Sequence, residues 1–147
     1  MLTAKELQRV FHTEIPITQT MGLTVSNLSL TDIRVCAPLK PNINHKATAF
    51  GGSLYAVAVL TGWGLLYNLI NQEAGDLHIV IFESTIYFHL PVTTNFCAVC
   101  RIPEEAAVDR FLRVLRKKGR AKIALLVQII TEEGIAVSFR GTYVAHR

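Results

Sequence analysis

"NINHKATAFGGSLYAVAVLTGWGLLYNLI", residues 42–70, is the stretch whose reading decides the fold of this chain. A polar loop with one histidine runs into a Gly-Gly step, and the eighteen residues from Ser53 to Ile70 carry no charge. Such a run suits a helix that crosses a bilayer or a helix at the centre of a folded core. Ser53, Thr61, Gly62, Gly64 and Asn68 inside it, and the lack of a second such segment, favour the core helix. A helix of about 20 residues is about 30 Å long, enough to run the length of a six-stranded sheet.

The flanking sequence supplies that sheet. Before the stretch, Ile33, Val35, Ala37 and Leu39 alternate with Asp32, Arg34, Cys36 and Pro38, and "SLTD" ahead of them suits a hairpin turn, so residues 23–39 read as two antiparallel strands. After it, "LHIVIFESTIYFHLP" puts Val80, Phe82, Ile86, Phe88 and Leu90 on one face, broken only by Ser84, and Glu83, Thr85, Tyr87 and His89 on the other. "NFCAVCRI" reads as its partner. Two further strands alternate through Ile123, Leu125, Val127 and Ile129 and through Ile135, Val137, Phe139 and Tyr143, joined by "TEEG".

Two short amphipathic helices complete the chain. Thr3 and Glu6 form a capping-box pattern ahead of Leu7, Val10 and Phe11, with Pro16 as the stop. Pro103, Glu104 and Glu105 open the other, Val108, Phe111, Leu112 and Leu115 recur at helical spacing, and Arg116, Lys117 and Lys118 precede Gly119. Five or six half-buried strands and one helix apolar all round predict an α+β fold: an antiparallel sheet curled around the long helix, its other side covered by loops or a second subunit.

At 147 residues the chain is expected to be one domain, residues 1–147. Half its residues are hydrophobic and 18% are charged, which excludes a disordered class. A net charge of +4 favours anionic partners without naming one. No basic run is interleaved with aromatics as single-strand binders require, so nucleic acid is not an expected partner. The basic residues Arg113, Arg116, Lys117, Lys118, Arg120 and Lys122 suit either a solvated face or the phosphates of coenzyme A. Cys36, Cys97 and Cys100 are too few for a disulfide scaffold and the amino terminus lacks the apolar core of a signal peptide, so the expectation is a cytoplasmic protein with packed thiols. Cys97 and Cys100, three apart in a strand, point to opposite faces and have no second pair to complete a zinc site.

The entrance to the long helix carries the chemistry. The first amides of a helix have no internal partners and bear partial positive charge, and Gly51 and Gly52 let another group approach them closely. Alternatively the pair serves a tight turn or close packing.

The strand hairpin, the Asn/His loop, the Gly-Gly step into a long apolar helix and the later "IYFHLPV" together resemble the hotdog-fold thioesterases over nearly the whole chain. More narrowly, "NHKATAFGGSLYAVAVLTGWG" resembles the thioesterase family whose members also occur behind a GNAT-type acetyltransferase. The resemblance implies a homodimer or a homotetramer built as a dimer of dimers. The thioester of acyl-CoA or acyl-carrier protein would lie between subunits, its carbonyl at the Gly52 N–H and no cofactor or metal involved. Phe50, Gly51, Ser53, Tyr55 and Thr61 would line its path.

In one respect the sequence departs from that pattern. Many hotdog thioesterases carry an acid seven residues after the second glycine; here that position is Val59, and no acid occurs from Ser53 through Gln72. The remaining candidates are Ser53 and Thr61 on the helix, His45 as base, Asn44 to orient water or hold the carbonyl, and Glu83 as carboxylate. Each has an ordinary reading beside it: His45 and Asn44 as loop residues, Glu83 as solvated, Tyr55, Thr61 and Trp63 as core. The competing function is a non-catalytic module that holds an acyl thioester or another lipid-like ligand.

Overall fold

Thr3 starts the chain's first helix as the sequence predicts: its hydroxyl accepts from the Glu6 N–H at 3.2 Å while the Glu6 carboxylate accepts from the Thr3 N–H at 2.7 Å. The computed structural model describes residues 1–147. Its elements run α1 (Ala4–Glu14), α2 (Ile17–Met21), β1 (Thr24–Leu28), β2 (Asp32–Ala37), a 3-10 turn (Lys40–Asn42), α3 (Gly51–Ile70), β3 (His78–Phe88), β4 (Phe96–Arg101), α4 (Glu105–Lys118), β5 (Arg120–Thr131) and β6 (Gly134–His146). The short α2 was not anticipated: Pro16 ends one helix and, with its fixed φ, starts the next.

All strand pairs are antiparallel, in the order β1-β2-β4-β5-β6-β3. The sheet wraps α3, which touches β2 through β6. A core of 33 buried residues draws on every helix and on every strand except β3, whose Ile79 and Ile86 pack against its margin. Burying a leucine or phenylalanine contributes about 1.5–3 kcal/mol, so this one cluster dominates the folding energy.

Two glycines let α3 lie this deep. A Cβ at Gly64 would stand 2.8 Å from Phe11 Cζ and 3.0 Å from Ile33 Cδ1, so its absence lets α1 and β2 close on the helix. At Gly62 a Cβ would strike the hydroxyl of the fully buried Tyr143, which donates to the Val59 carbonyl at 2.7 Å. Asn68 ties the far end: its Oδ1 accepts from Leu2 N–H at 3.0 Å and its Nδ2 donates to Ser29 O at 3.1 Å. The helix is long and apolar enough to cross a bilayer, and here it is mostly buried inside the protein.

α4 fills a gap in the sheet. β4 pairs with β5 only where Ala98–Cys100 meets Val127–Ile129, and the first half of β5 packs instead against α4, which buries Val108, Phe111 and Leu115. Gly119, at φ +71°, ends α4 with its N–H on Leu115 O at 2.8 Å.

Two expectations are corrected. Cys97 is not a packed thiol: Cys36 and Cys97 are direct cross-strand partners and form a disulfide. Cys100 points to the opposite face, as the three-residue spacing requires, and is a buried free thiol whose pKa burial pushes up to about 12. The second correction concerns β3, where a bulge between Ile81 and Glu83 breaks the simple alternation. Ser84 and Ile86 consequently pair with the inward Gly141 and Phe139, whereas Glu83 and Thr85 pair with the outward Thr142 and Arg140. Val80 and Phe82 are exposed, whereas Ile86 is half-buried.

Candidate active site at the amino end of the central helix

The polar loop entering α3 is fastened at several points. Asn42 is buried, donates through Nδ2 to Met21 O at 2.9 Å and Pro38 O at 2.8 Å, and accepts the Phe50 N–H on its backbone carbonyl at 2.7 Å. The Ala49 N–H reaches Val92 O at 2.8 Å. Asn44 closes the loop on itself: its Oδ1 accepts from the N–H groups of Lys46 and Thr48 at 2.8 and 3.1 Å, and its Nδ2 donates to Thr48 Oγ1 at 2.9 Å. This ring of contacts holds Ala47 in the left-handed region at φ +61° and sets the direction in which the chain enters the helix.

At that entrance the amides of Gly51, Gly52 and Ser53 have no protein acceptor; the first helical bond is from Leu54 N–H to Phe50 O at 3.0 Å. No side chain caps the helix and no acid lies in its first turn. The open N–H groups therefore combine with the partial positive charge of a 20-residue helix into a ready acceptor site for a developing anion. Two aromatic rings flank them: Phe50, 57% exposed, lies against Gly52, and Phe88, 53% exposed, lies 3.7 Å from where a Gly51 Cβ would be. A Cβ at Gly52 would run into the Phe50 ring, whereas one at Gly51 would make ordinary contact with Phe88.

The structure brings some expected residues together and separates others. Gly51, Gly52, Ser53 and Phe50 share the entrance, with exposed His45 and half-buried Asn44 on the loop that leads to it. His45 makes no side-chain hydrogen bond, whereas the Asn44 amide is consumed by its own loop, which makes it a positioning residue. Tyr55, a turn further on, is half-buried with its hydroxyl 2.6 Å from Ser84 Oγ and its ring edge-on to Phe139. Thr61 is fully buried and donates to Val57 O at 2.6 Å, so it belongs to the core and lines no open path. Glu83 lies elsewhere: the β3 bulge turns it to the outer face, into a small polar pocket with Thr85, Arg140 and Thr142, with the sheet between it and α3.

Two residues of the site escaped the sequence reading. Ser84 appeared as a break in an apolar face and is in fact the inward polar group opposite Tyr55. Phe88 appeared as a core position and instead walls the helix entrance. The alternation held their signal, but the bulge that inverts it left no mark in the composition. Val59 is half-buried, and α3 presents no carboxylate.

The sequence model of the family described as "Putative thioesterase (yiiD_Cterm)" matches residues 4–147. The chain belongs to this family. Among solved structures, a protein of unknown function from Chlorobaculum tepidum TLS is 33% identical with a TM-score of 0.92, over 98% of this chain and 94% of that one. The "putative thioesterase" of Shewanella oneidensis is 29% identical with a TM-score of 0.86, over 98% and 97%. A thioesterase from Haemophilus influenzae shares the fold at 15% identity and a TM-score of 0.75, over 99% and 91%. The six-stranded antiparallel sheet around a central helix is thus the hotdog fold, in a thioesterase family.

Proposed function

We propose that the protein hydrolyses the thioester of acyl-CoA or acyl-carrier protein at the amino end of α3. The observation that carries this reading is the set of three amides, Gly51, Gly52 and Ser53, left without acceptors between the rings of Phe50 and Phe88. A thioester carbonyl oxygen on the Gly52 N–H becomes an oxyanion as water attacks, and amides fixed by a helix stabilise that charge without reorganising. His45 takes the proton of the attacking water, the C–S bond breaks, and the proton passes to the leaving thiolate, giving a free acid and a thiol. The aromatic walls take up the apolar part of the substrate and keep bulk water from the carbonyl.

The site is completed in this reading by a second copy. β3 is an edge strand of eleven residues with Val80, Ile81 and Phe82 exposed, and the half-exposed apolar stripe Ala56, Val59, Trp63 and Tyr67 runs down α3 beside it. Pairing β3 with its copy satisfies the free edge and covers that stripe. A second reading, an acyl-thioester binding module without turnover, is favoured by one feature: neither α3 nor the inner face beside it offers a carboxylate.

Thiol release from short, medium, long and aromatic acyl-CoAs by the purified protein tests the proposal. Saturable release that falls steeply in His45→Ala, with the oligomer unchanged, supports hydrolysis. Measurable acyl-CoA binding with no release from acyl-CoA or acyl-carrier protein leaves the binding module.

A further inference from the structure

The Cys36–Cys97 disulfide plays no part in the chemistry at α3, yet it sits where the entrance to that helix is anchored. It joins the last pair but one of the β2–β4 ladder, the last being Ala37 with Phe96. Beyond that end the two strands become the arms that hold the entrance. On the β2 side the Pro38 carbonyl accepts from Asn42 Nδ2 at 2.8 Å, and the Asn42 carbonyl accepts the Phe50 N–H at 2.7 Å. On the β4 side the Val92 carbonyl accepts the Ala49 N–H at 2.8 Å. Asn95 ties the two arms together, its Oδ1 accepting from the Leu39 N–H at 2.9 Å.

This end of the ladder is otherwise thinly held. β5 pairs with β4 only at Ala98–Cys100, which leaves Phe96 and Cys97 with no β5 partner, and β1 pairs with β2 no further than Cys36, which leaves Ala37 without one. Backbone at the end of a ladder opens at a lower free-energy cost than its middle, so a covalent bond there restrains the part that would open first. The bond is also within reach of solvent. Val35, Ala37, Phe96 and Ala98 point into the core, so Cys36 and Cys97 point to the outer face, where both are half-buried and the Cys36 Sγ lies 3.6 Å from the Ser26 hydroxyl. Cys100 faces inward, is buried and takes no part.

From this placement we infer that Cys36 and Cys97 form a reversible redox clamp on the α3 entrance, opened by a dithiol reductant and closed by a disulfide oxidant. A thiolate of the dithiol attacks one Sγ, the Cys36–Cys97 bond breaks, and the displaced cysteine thiolate takes a proton. The second thiolate of the dithiol then displaces the other cysteine from the mixed disulfide. Two electrons pass to the protein, which keeps two thiols, and the dithiol leaves as a disulfide. Closing is the reverse exchange, with the strand register holding the two thiols opposite each other. In the reduced chain the four pairs from Asp32 to Val35 and the buried Phe96 keep the fold, whereas the two arms gain freedom and the helix entrance loses its fixed direction. The effect on turnover rests on the proposed hydrolysis at α3; the loosening of the entrance does not.

Treating the intact protein with dithiothreitol tests the clamp through thiol titration, amide hydrogen exchange by NMR, and chromatographic loss of acyl-CoA, which reductant does not mask. Cys36 and Cys97 should become reactive while the protein stays folded. The Ala49 and Phe50 amides should exchange about tenfold faster or more, with Leu125 and Val127 in β5 unchanged. Turnover should fall about threefold or more as the entrance loses its alignment, and oxidised dithiothreitol should restore all three readouts. Cys36→Ser combined with Cys97→Ser should match the reduced parent and ignore dithiothreitol; the parent's own redox cycle carries the test if that variant fails to fold. No thiol release from the folded protein, equal exchange at Ala49 and Phe50 in both states, or all amides speeding up together as the chain unfolds would each overturn the clamp. Faster exchange with unchanged turnover would overturn its control of the reaction. Absence of acyl-CoA loss in both states would count against hydrolysis alone, because the exchange rates still decide the clamp.

Discussion

Replacing Gly52 by proline isolates the oxyanion donor. Gly52 is the second residue of α3 and its N–H has no acceptor in the protein, so proline removes that N–H without breaking a helical bond. Proline also introduces a Cβ that displaces the Phe50 ring, an effect that Gly52→Ala reproduces while keeping the amide. Phe50 is more than half exposed and has room to swing aside, so alanine should act chiefly through the substrate's apolar contact, on KM. The ratio of kcat between the two variants then reports the amide alone. Removing one oxyanion donor elsewhere costs about 10²–10³ in kcat, or about 2.7–4 kcal/mol. The same ratio is expected here, read by steady-state thiol release on the best acyl-CoA with circular dichroism confirming equal helix content. If Gly52→Pro turns over within threefold of Gly52→Ala, the Gly52 N–H does not stabilise the transition state and the proposed geometry is wrong.

Gly62→Ala sets two effects against each other: helix propensity favours alanine by about 1 kcal/mol, while overpacking against Tyr143 and loss of its bond to Val59 O cost about 2–4 kcal/mol. Net destabilisation of about 1–3 kcal/mol in urea denaturation is expected, and a stabilised variant would contradict the packing. Thiol titration should find no fast-reacting cysteine in the native protein, because Cys36 and Cys97 are bonded and Cys100 is buried with a raised pKa. One thiol should appear on denaturation without reductant and three with it; three without reductant would refute the disulfide. Glu73 holds Arg116 through two hydrogen bonds of 2.7 and 2.9 Å, and the Arg116 guanidinium lowers its pKa. A lowered carboxylate pKa gives stability that is present above the ordinary glutamate range and lost as pH falls through the folded value. Glu73→Gln should therefore cost less than about 1 kcal/mol at pH 7, Arg116 being largely exposed, and less at pH 2 than at pH 7. An equal loss at both pH values would show that the ion pair is not its source.

Much of the fold was legible because local chemistry and tertiary demand agree. The capping box at Thr3, the left-handed cap at Gly119 and the turns at residues 29–32 and 131–134 each follow from backbone groups that need partners within a few residues. The apolar run fixed α3 as a core helix because nothing else could cover so many half-buried strands, and the Gly-Gly step located its open amides. What only the tertiary structure decided depends on partners distant in sequence. The strand order set Cys36 opposite Cys97, 61 residues away. The gap beside β4 placed α4 against β5. The bulge after Ile81 adds a residue to one strand only, so it inverted every later side chain of β3, sending Glu83 outward and Ser84 and Phe88 toward α3. Alternation says which residues share a face, but only pairing with β6 says which face it is.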